Sequence, residues 1–159
     1  MTAEKPEIAL DDDIPLQQFL TYRISRVQAK LNAQANDLLR RHAGLTLSQW
    51  RILALLGAVG QTRLTDLARI AALDKGLLSR NLKVMIAEGF VTSKQDDLDH
   101  RIQHLTLTSK GLDLFDATLP KMRARQHHLR ASLTSKELEM LYSAMDKLEL
   151  AASWRGEDT

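Results

Sequence analysis

The sequence contains no cysteine. Disulfides, thiolate zinc sites and thiol-based redox sensing are therefore excluded, and a cytoplasmic location is expected. No apolar run approaches the ~20 residues that a membrane-spanning helix needs. The opening MTAEKPEIALDDD also lacks the basic and apolar regions of a signal peptide, so the expectation is a soluble chain with no membrane partner. Aromatic residues make up only 4%, which leaves the core to Leu, Ile, Val and Ala. There is no glycine-rich phosphate loop and no serine nucleophile beside a plausible base. The acids of DDLD fall on a polar turn, so neither catalysis nor a cofactor is expected.

What is present fits one ordinary domain, or a small module with the helices that pair it to a second copy, in 159 residues. Hydrophobic residues at 44% and charged residues at 26% are ordinary for a globular protein. The charge is unevenly placed. Residues 1–13 hold Glu4, Glu7, Asp11, Asp12 and Asp13 against Lys5, a net of −4, which leaves +6 on residues 14–159. A mildly basic folded part is compatible with nucleic acid, although much basic charge is simply solvated surface.

Leu20, Ile24, Val27, Leu31, Ala35 and Leu38 recur at steps of three and four, predicting a long helix from about Ile14 to His42 that stops at Gly44. A second helix, LSQWRILALLGAVG, is expected after a Thr46 or Ser48 cap, with Gly57 and Gly60 closing it. LTDLARIAAL predicts a short third. Asp74 then caps a fourth, KGLLSRNLKVMIAEG, whose Leu78, Leu82 and Met85 face inward and whose stop is Gly89. Its opposite stripe reads Lys75, Ser79 and Lys83, flanked by Arg80. Helix, short turn and a second helix with a basic outer face is the pattern of a helix-turn-helix.

FVTSK and RIQHLTLT have strand composition and are separated by the polar QDDLDH, which predicts a hairpin. Its tip, with Asp99, His100 and Arg101, projects as a wing beside the fourth helix. Beyond a Thr108 cap, Leu112, Phe115, Leu119 and Met122 mark a long fifth helix, expected to kink at Pro120. After Thr134 or Ser135, the sixth carries Leu138, Leu141, Met145, Leu148 and Ala152 in a narrow seam that wants a helical partner. The expected fold is mainly α with a small β-hairpin wing. It divides into an acidic tail (1–13), a first helix (14–44), a winged lobe (45–108, recognition helix about 75–88, wing about 90–107), long helices (109–153) and a tail (154–159).

LTLSQWRIL, LTDLA, LDKGLLSRNLKVMIAEGFV and DDLDHRIQHLTLTSKG, in this order and spacing, resemble the MarR family of winged-helix transcriptional regulators across about residues 14–150. The resemblance implies that Ser79 and Arg80 face the major groove, that Arg101 enters the minor groove, and that Asp99 steadies the wing by pairing with a nearby arginine. Gly76 and Leu77 stand where the family often has Ser-Thr. Ser93 stands where it often has arginine, and Lys94 is expected to take over that phosphate contact. Chemistry supports these roles, since Arg bonds guanine two-pronged whereas Lys75, Lys83 and Lys94 serve as point charges against phosphate. His100 is expected to add a contact.

The resemblance further implies a ligand between the first, second and fifth helices. Trp50 would line that pocket, with Arg23, Arg26 and Arg51 pairing to a small anionic, often aromatic, molecule. The equally available reading makes Trp50 core and the arginines surface ion pairs. The seam, together with Ile14, Leu16, Phe19 and Leu20, is expected to form a homodimer interface across a two-fold axis. The functional expectation is a homodimeric repressor on a pseudo-palindromic double-stranded operator, released by a small-molecule effector. Two alternatives are a winged-helix module used only for protein contact, and a metal-responsive regulator using its histidines. His127 and His128 are adjacent, roughly 100° apart around a helix, and cannot grip one metal together; no metal is expected.

Overall fold

The computed structural model describes residues 14–71 and 73–153. The two expected tails, 1–13 and 154–159, lie outside them. Six α-helices and three short strands follow in the order α1 (Leu20–Ala43), α2 (Leu47–Val59), β1 (Gln61–Arg63), α3 (Leu64–Ile70), α4 (Lys75–Ala87), β2 (Val91–Gln95), β3 (Gln103–Leu107), α5 (Ser109–Ala131) and α6 (Ser135–Ala152).

Several boundaries follow directly from cap chemistry. Thr46 accepts the Gln49 N–H while the Gln49 side chain returns to the Thr46 N–H, closing a capping box on α2. Thr134 and Glu137 do the same for α6. Asp74 Oδ1 accepts the Leu77 N–H at 2.8 Å and opens α4. α1 begins six residues later than expected, because Pro15 is extended and a single 3-10 turn, Leu16–Gln18, intervenes.

One expectation is corrected and one element is added. Gly57 does not close α2, which runs on to Val59; it lies under the Phe115 ring, where an added Cβ would stand 2.8 Å from ring carbons. Residues 61–63, to which the sequence pattern assigns no element, form β1. This strand pairs antiparallel with β3, Thr62 opposite Leu105, so the wing is the outer part of a three-stranded sheet in the order β1-β3-β2. A three-residue polar strand has no apolar alternation to announce it. α5 continues as one helix through Pro120, whose missing N–H leaves only the exposed Asp116 turn without a backbone donor.

The core gathers where α2, α4 and the sheet meet. Ile52, Leu53 and Leu56 of α2, Leu78, Leu82 and Met85 of α4 and Leu105 of β3 are buried together, closed on one side by Leu39 of α1 and Met122 of α5. Arg125 fastens α5 to α1, its Nε donating to Gln34 Oε1 at 3.0 Å and its Nη2 to the Leu31 carbonyl at 2.8 Å. Partial burial lowers the pKa of this guanidinium. α6 is different: not one of its residues is buried. Among the described residues no helix is long and apolar enough to cross a membrane.

Candidate nucleic-acid interface

The inward stripe of α4 fixes what its other side presents. With Leu78, Leu82 and Met85 buried, Ser79 and Lys83, each one position past a buried leucine, are turned out of the core, and Lys75, Ser79, Arg80 and Lys83 are all exposed. Asn81 turns its amide back onto the Leu77 carbonyl at 2.8 Å and leaves that surface to the others. The result is a helix face of three cations and a hydroxyl.

Beside it stands the wing. β2 and β3 pair from Val91 opposite Leu107 to Gln95 opposite Gln103. Leu105 and Ser93 share the face that looks at α3 and α4 across a hollow of about 540 Å³, walled by Leu64, Leu78 and Leu82 and lined also by Lys75 and Lys83. Lys94, one residue on, points to the opposite face, 3.7 Å from Asp97. Lys94 therefore sits on the outer side of the wing, not where the side chain at position 93 points.

The turn from 96 to 102 is tied by groups that sequence reasoning passed over. Asp96 Oδ1 accepts the backbone N–H groups of Leu98 and Asp99 at 2.9 and 3.1 Å, and its Oδ2 meets His104 Nε2 at 3.0 Å. Asp99 was expected to pair with an arginine. Its Oδ1 instead accepts the Arg101 backbone N–H at 3.0 Å, and among the described residues no guanidinium forms an ion pair with it. Asp96 is thus the clamp and Asp99 a single stitch. His100 and Arg101 are left exposed at the tip, next to a fully exposed Leu98. The signal available in sequence was the pair of positions: an acid at the first turn residue, and His104 on the wet face of β3 between Lys94 and Arg63 of the neighbouring strands.

The His104 hydrogen bond, followed by the two backbone N–H groups, lowers the Asp96 pKa from 3.8 to about 2. A carboxylate held below its unfolded value contributes stability that is present above pH 3.8 and lost as pH falls through about 2, so the clamp is intact at every pH near neutrality. Asp96→Ala should lower affinity for DNA more than Asp99→Ala does, since it removes three bonds rather than one. Helix content should stay unchanged in both. Equal losses from the two substitutions, measured by fluorescence anisotropy, would contradict the clamp.

The residues expected at an effector pocket are spread out. Trp50 is buried, its ring stacked on Phe115 with centroids 6.0 Å apart. Arg51 is half-buried on the next position of α2. α2 meets α1 at Asn36, whose Oδ1 accepts the Leu47 N–H. Arg26 lies ten residues along α1 from there, roughly 15 Å, and Arg23 a turn further. Arg26 rests over the Tyr22 ring. Among the described residues no group of three His, Asp or Glu side chains is arranged to hold a metal.

Residues 43–102 match the MarR family by sequence profile. The chain is 25% identical to the homoprotocatechuate degradative operon repressor of Escherichia coli over 137 residues, 85% of this chain and 92% of the relative. It also resembles the solved structure of a MarR-family transcriptional regulator from Silicibacter pomeroyi, with a TM-score of 0.70 at 26% identity, covering 93% of this chain and 98% of that one. The Staphylococcus aureus MepR–DNA complex shares the fold, with a TM-score of 0.78 at 19% identity over 84% of this chain and 98% of that one.

Proposed function

We propose that this chain, which matches the MarR family over residues 43–102 and resembles a solved MarR-family regulator along nearly its whole length, works as a homodimeric winged-helix repressor on a pseudo-palindromic operator. The observation that carries this reading is the exposed face of Lys75, Ser79, Arg80 and Lys83 standing beside a clamped wing that presents Arg101. α4 enters the major groove, Arg80 and Ser79 reading base edges while Lys75 and Lys83 hold phosphates. The wing lies along the adjacent minor groove, whose negative potential suits Arg101, with His100 and Lys94 against the backbone. The winged lobe spans residues 45–108. α1, α5 and α6 form the pairing lobe, and two copies of α4 are spaced about 34 Å apart, one turn of DNA.

The repressor reading draws on the Escherichia coli relative, which is by name the homoprotocatechuate degradative operon repressor. A small anionic ligand at the junction of the two lobes, near Trp50 and Arg51, would change the separation of the two recognition helices. Arg23 and Arg26 join such a site only if the pairing of two copies brings them to it. In this reading the chain acts in the cytoplasm and needs no cofactor.

The test is binding to the DNA upstream of its own gene, compared with random duplex. Arg80→Ala should weaken operator binding and reduce discrimination at one base position by about 1–3 kcal/mol. Lys83→Ala should weaken operator and random DNA alike. Arg101→Ala should make the dependence of log affinity on log salt shallower by about one unit. Identical losses on both DNAs for Arg80→Ala and Lys83→Ala would overturn the assignment of roles along α4.

A further inference from the structure

We infer that Leu98, at the tip of the wing, is an apolar wedge that enters the minor groove beside Arg101 and gives the protein a preference for an easily unstacked base step there. The inference rests on the DNA-binding reading and adds to it a contact that no charged side chain makes. Leu98 is 99% exposed, whereas Leu150, the next most exposed large apolar side chain among the described residues, is 76% exposed and lies in the last turn of α6. Single exposed leucines are common on protein surfaces. What sets this one apart is that the turn is built around its backbone.

Asp96 Oδ1 accepts the Leu98 N–H at 2.9 Å and the Asp99 N–H at 3.1 Å. Across the turn the Asp96 N–H donates to the Ile102 carbonyl and the Ile102 N–H to the Asp99 carbonyl, both at 2.9 Å. Leu98 is thus presented on a closed loop, so little backbone freedom is lost when a partner covers it.

The charges of the tip also argue for an apolar contact. From Lys94 to His104 the wing holds two permanent cations, Lys94 and Arg101, against Asp96, Asp97 and Asp99. Three free carboxylates at this place would repel DNA. Each is instead occupied within the wing: Asp96 by His104 and two N–H groups, Asp97 by Lys94 at 3.7 Å, and Asp99 by the Arg101 N–H. Attraction from the turn is then little more than that of Arg101, and further affinity has to come from contact. The minor groove offers a leucine its sugar edges, and a leucine pressed between base pairs unstacks them, at least cost at a pyrimidine–purine step. Arg101, three positions away, and the cationic face of α4 favour DNA over a protein surface as what covers Leu98.

Titration of the full-length protein with the DNA upstream of its own gene tests this. Leu98→Ala should weaken binding about tenfold, the lower end for covering a leucine side chain. The slope of log affinity against log salt should stay unchanged, because an apolar contact releases no counterions, whereas Arg101→Ala makes it shallower. Leu98→Phe should keep wild-type affinity, and Leu98→Asn should lose as much as Leu98→Ala. Changing flanking TA steps one at a time to AA should weaken the wild type at one position in each half-site and leave Leu98→Ala indifferent there. With 2-aminopurine in place of adenine at that step, fluorescence should rise on binding the wild type and not on binding Leu98→Ala. All three variants should keep the wild-type melting temperature, since the side chain is almost wholly exposed. Wild-type affinity in Leu98→Ala, alongside a loss in Arg80→Ala, overturns the wedge and leaves the DNA-binding reading standing. A loss in Leu98→Ala that comes with a shallower salt slope or an unchanged step preference overturns the wedge as well. A wild-type protein that binds operator and random duplex equally overturns the reading on which it rests.

Discussion

Gly111→Ala is expected to lower stability by about 3–5 kcal/mol, a large loss for one added methyl group. An added Cβ would stand 2.1 Å from the Phe90 carbonyl oxygen. That oxygen cannot retreat without breaking a joint, because it accepts the Thr108 N–H at 3.0 Å. The Thr108 hydroxyl donates to the Gly89 carbonyl at 2.6 Å while accepting the Gly111 N–H, and Lys110 Nζ donates to the Glu88 carbonyl at 2.7 Å. Gly89, at φ 75°, is what lets the chain turn from α4 into β2 at this point. The first turn of α5 is thus bonded to the end of the helix that presents Arg80. Forcing them apart costs core contact and shifts the wing together with the recognition helix. Urea unfolding should show the midpoint falling with an unchanged slope. Gly57→Ala is the comparison, since there the added carbon meets the Phe115 ring, a side chain that can move at about 1–3 kcal/mol. A smaller loss at Gly111 than at Gly57 would mean that the α4–α5 joint yields more easily than its bonds imply.

The parts of this joint differ in how far they were legible in sequence. Thr108 as a cap, Asp74 as a cap and the Leu78, Leu82, Met85 stripe all follow from rules that act within four or five residues, and each stands where the pattern put it. The exposed DNA-facing side of α4 then follows by helix geometry alone. What escaped depends on contacts between distant segments. Gly57 reads as a helix stop until Phe115, 58 positions later in the chain, is seen to lie on it. β1 exists because β3 offers it an edge, not because Gln61, Thr62 and Arg63 favour a strand.

The wing shows the same division at closer range. The hairpin and the exposed Arg101 were readable from alternation and a polar turn, whereas the register, Val91 opposite Leu107, comes from the structure. The identity of the clamp was not, because DDLD offers three acids and alternation does not say which one folds back over the strand. Only the tertiary turn places the Asp96 carboxylate on two N–H groups and on His104, eight positions away. The effector residues were the least legible. Trp50 is half of a stacked pair with Phe115 within the core.

Leu141→Glu with Met145→Glu is expected to convert the dimer to a monomer and to lower operator affinity about 10²–10⁴-fold. In the single chain α6 has no buried residue, and Leu141 and Met145 are 40% and 48% exposed. An amphipathic 18-residue helix with a capping box and no fully buried side chain, only Leu138 and Leu148 being half-buried, gains little from its own chain. Its apolar seam is explained by a second copy, and a carboxylate in that seam must be desolvated against another apolar surface. Dimer loss then acts on DNA binding without touching α4. Two linked recognition helices bind the second half-site at an effective concentration near the millimolar range, whereas free monomers must bind each half-site independently. Affinity for an isolated half-site, and its sensitivity to Arg80→Ala, should therefore survive. Helix content by circular dichroism should survive as well, while the melting temperature loses its dependence on protein concentration. Sedimentation and operator titration of the same preparation decide the matter. A retained dimer with full operator affinity would mean that the seam faces solvent and that the two copies meet elsewhere.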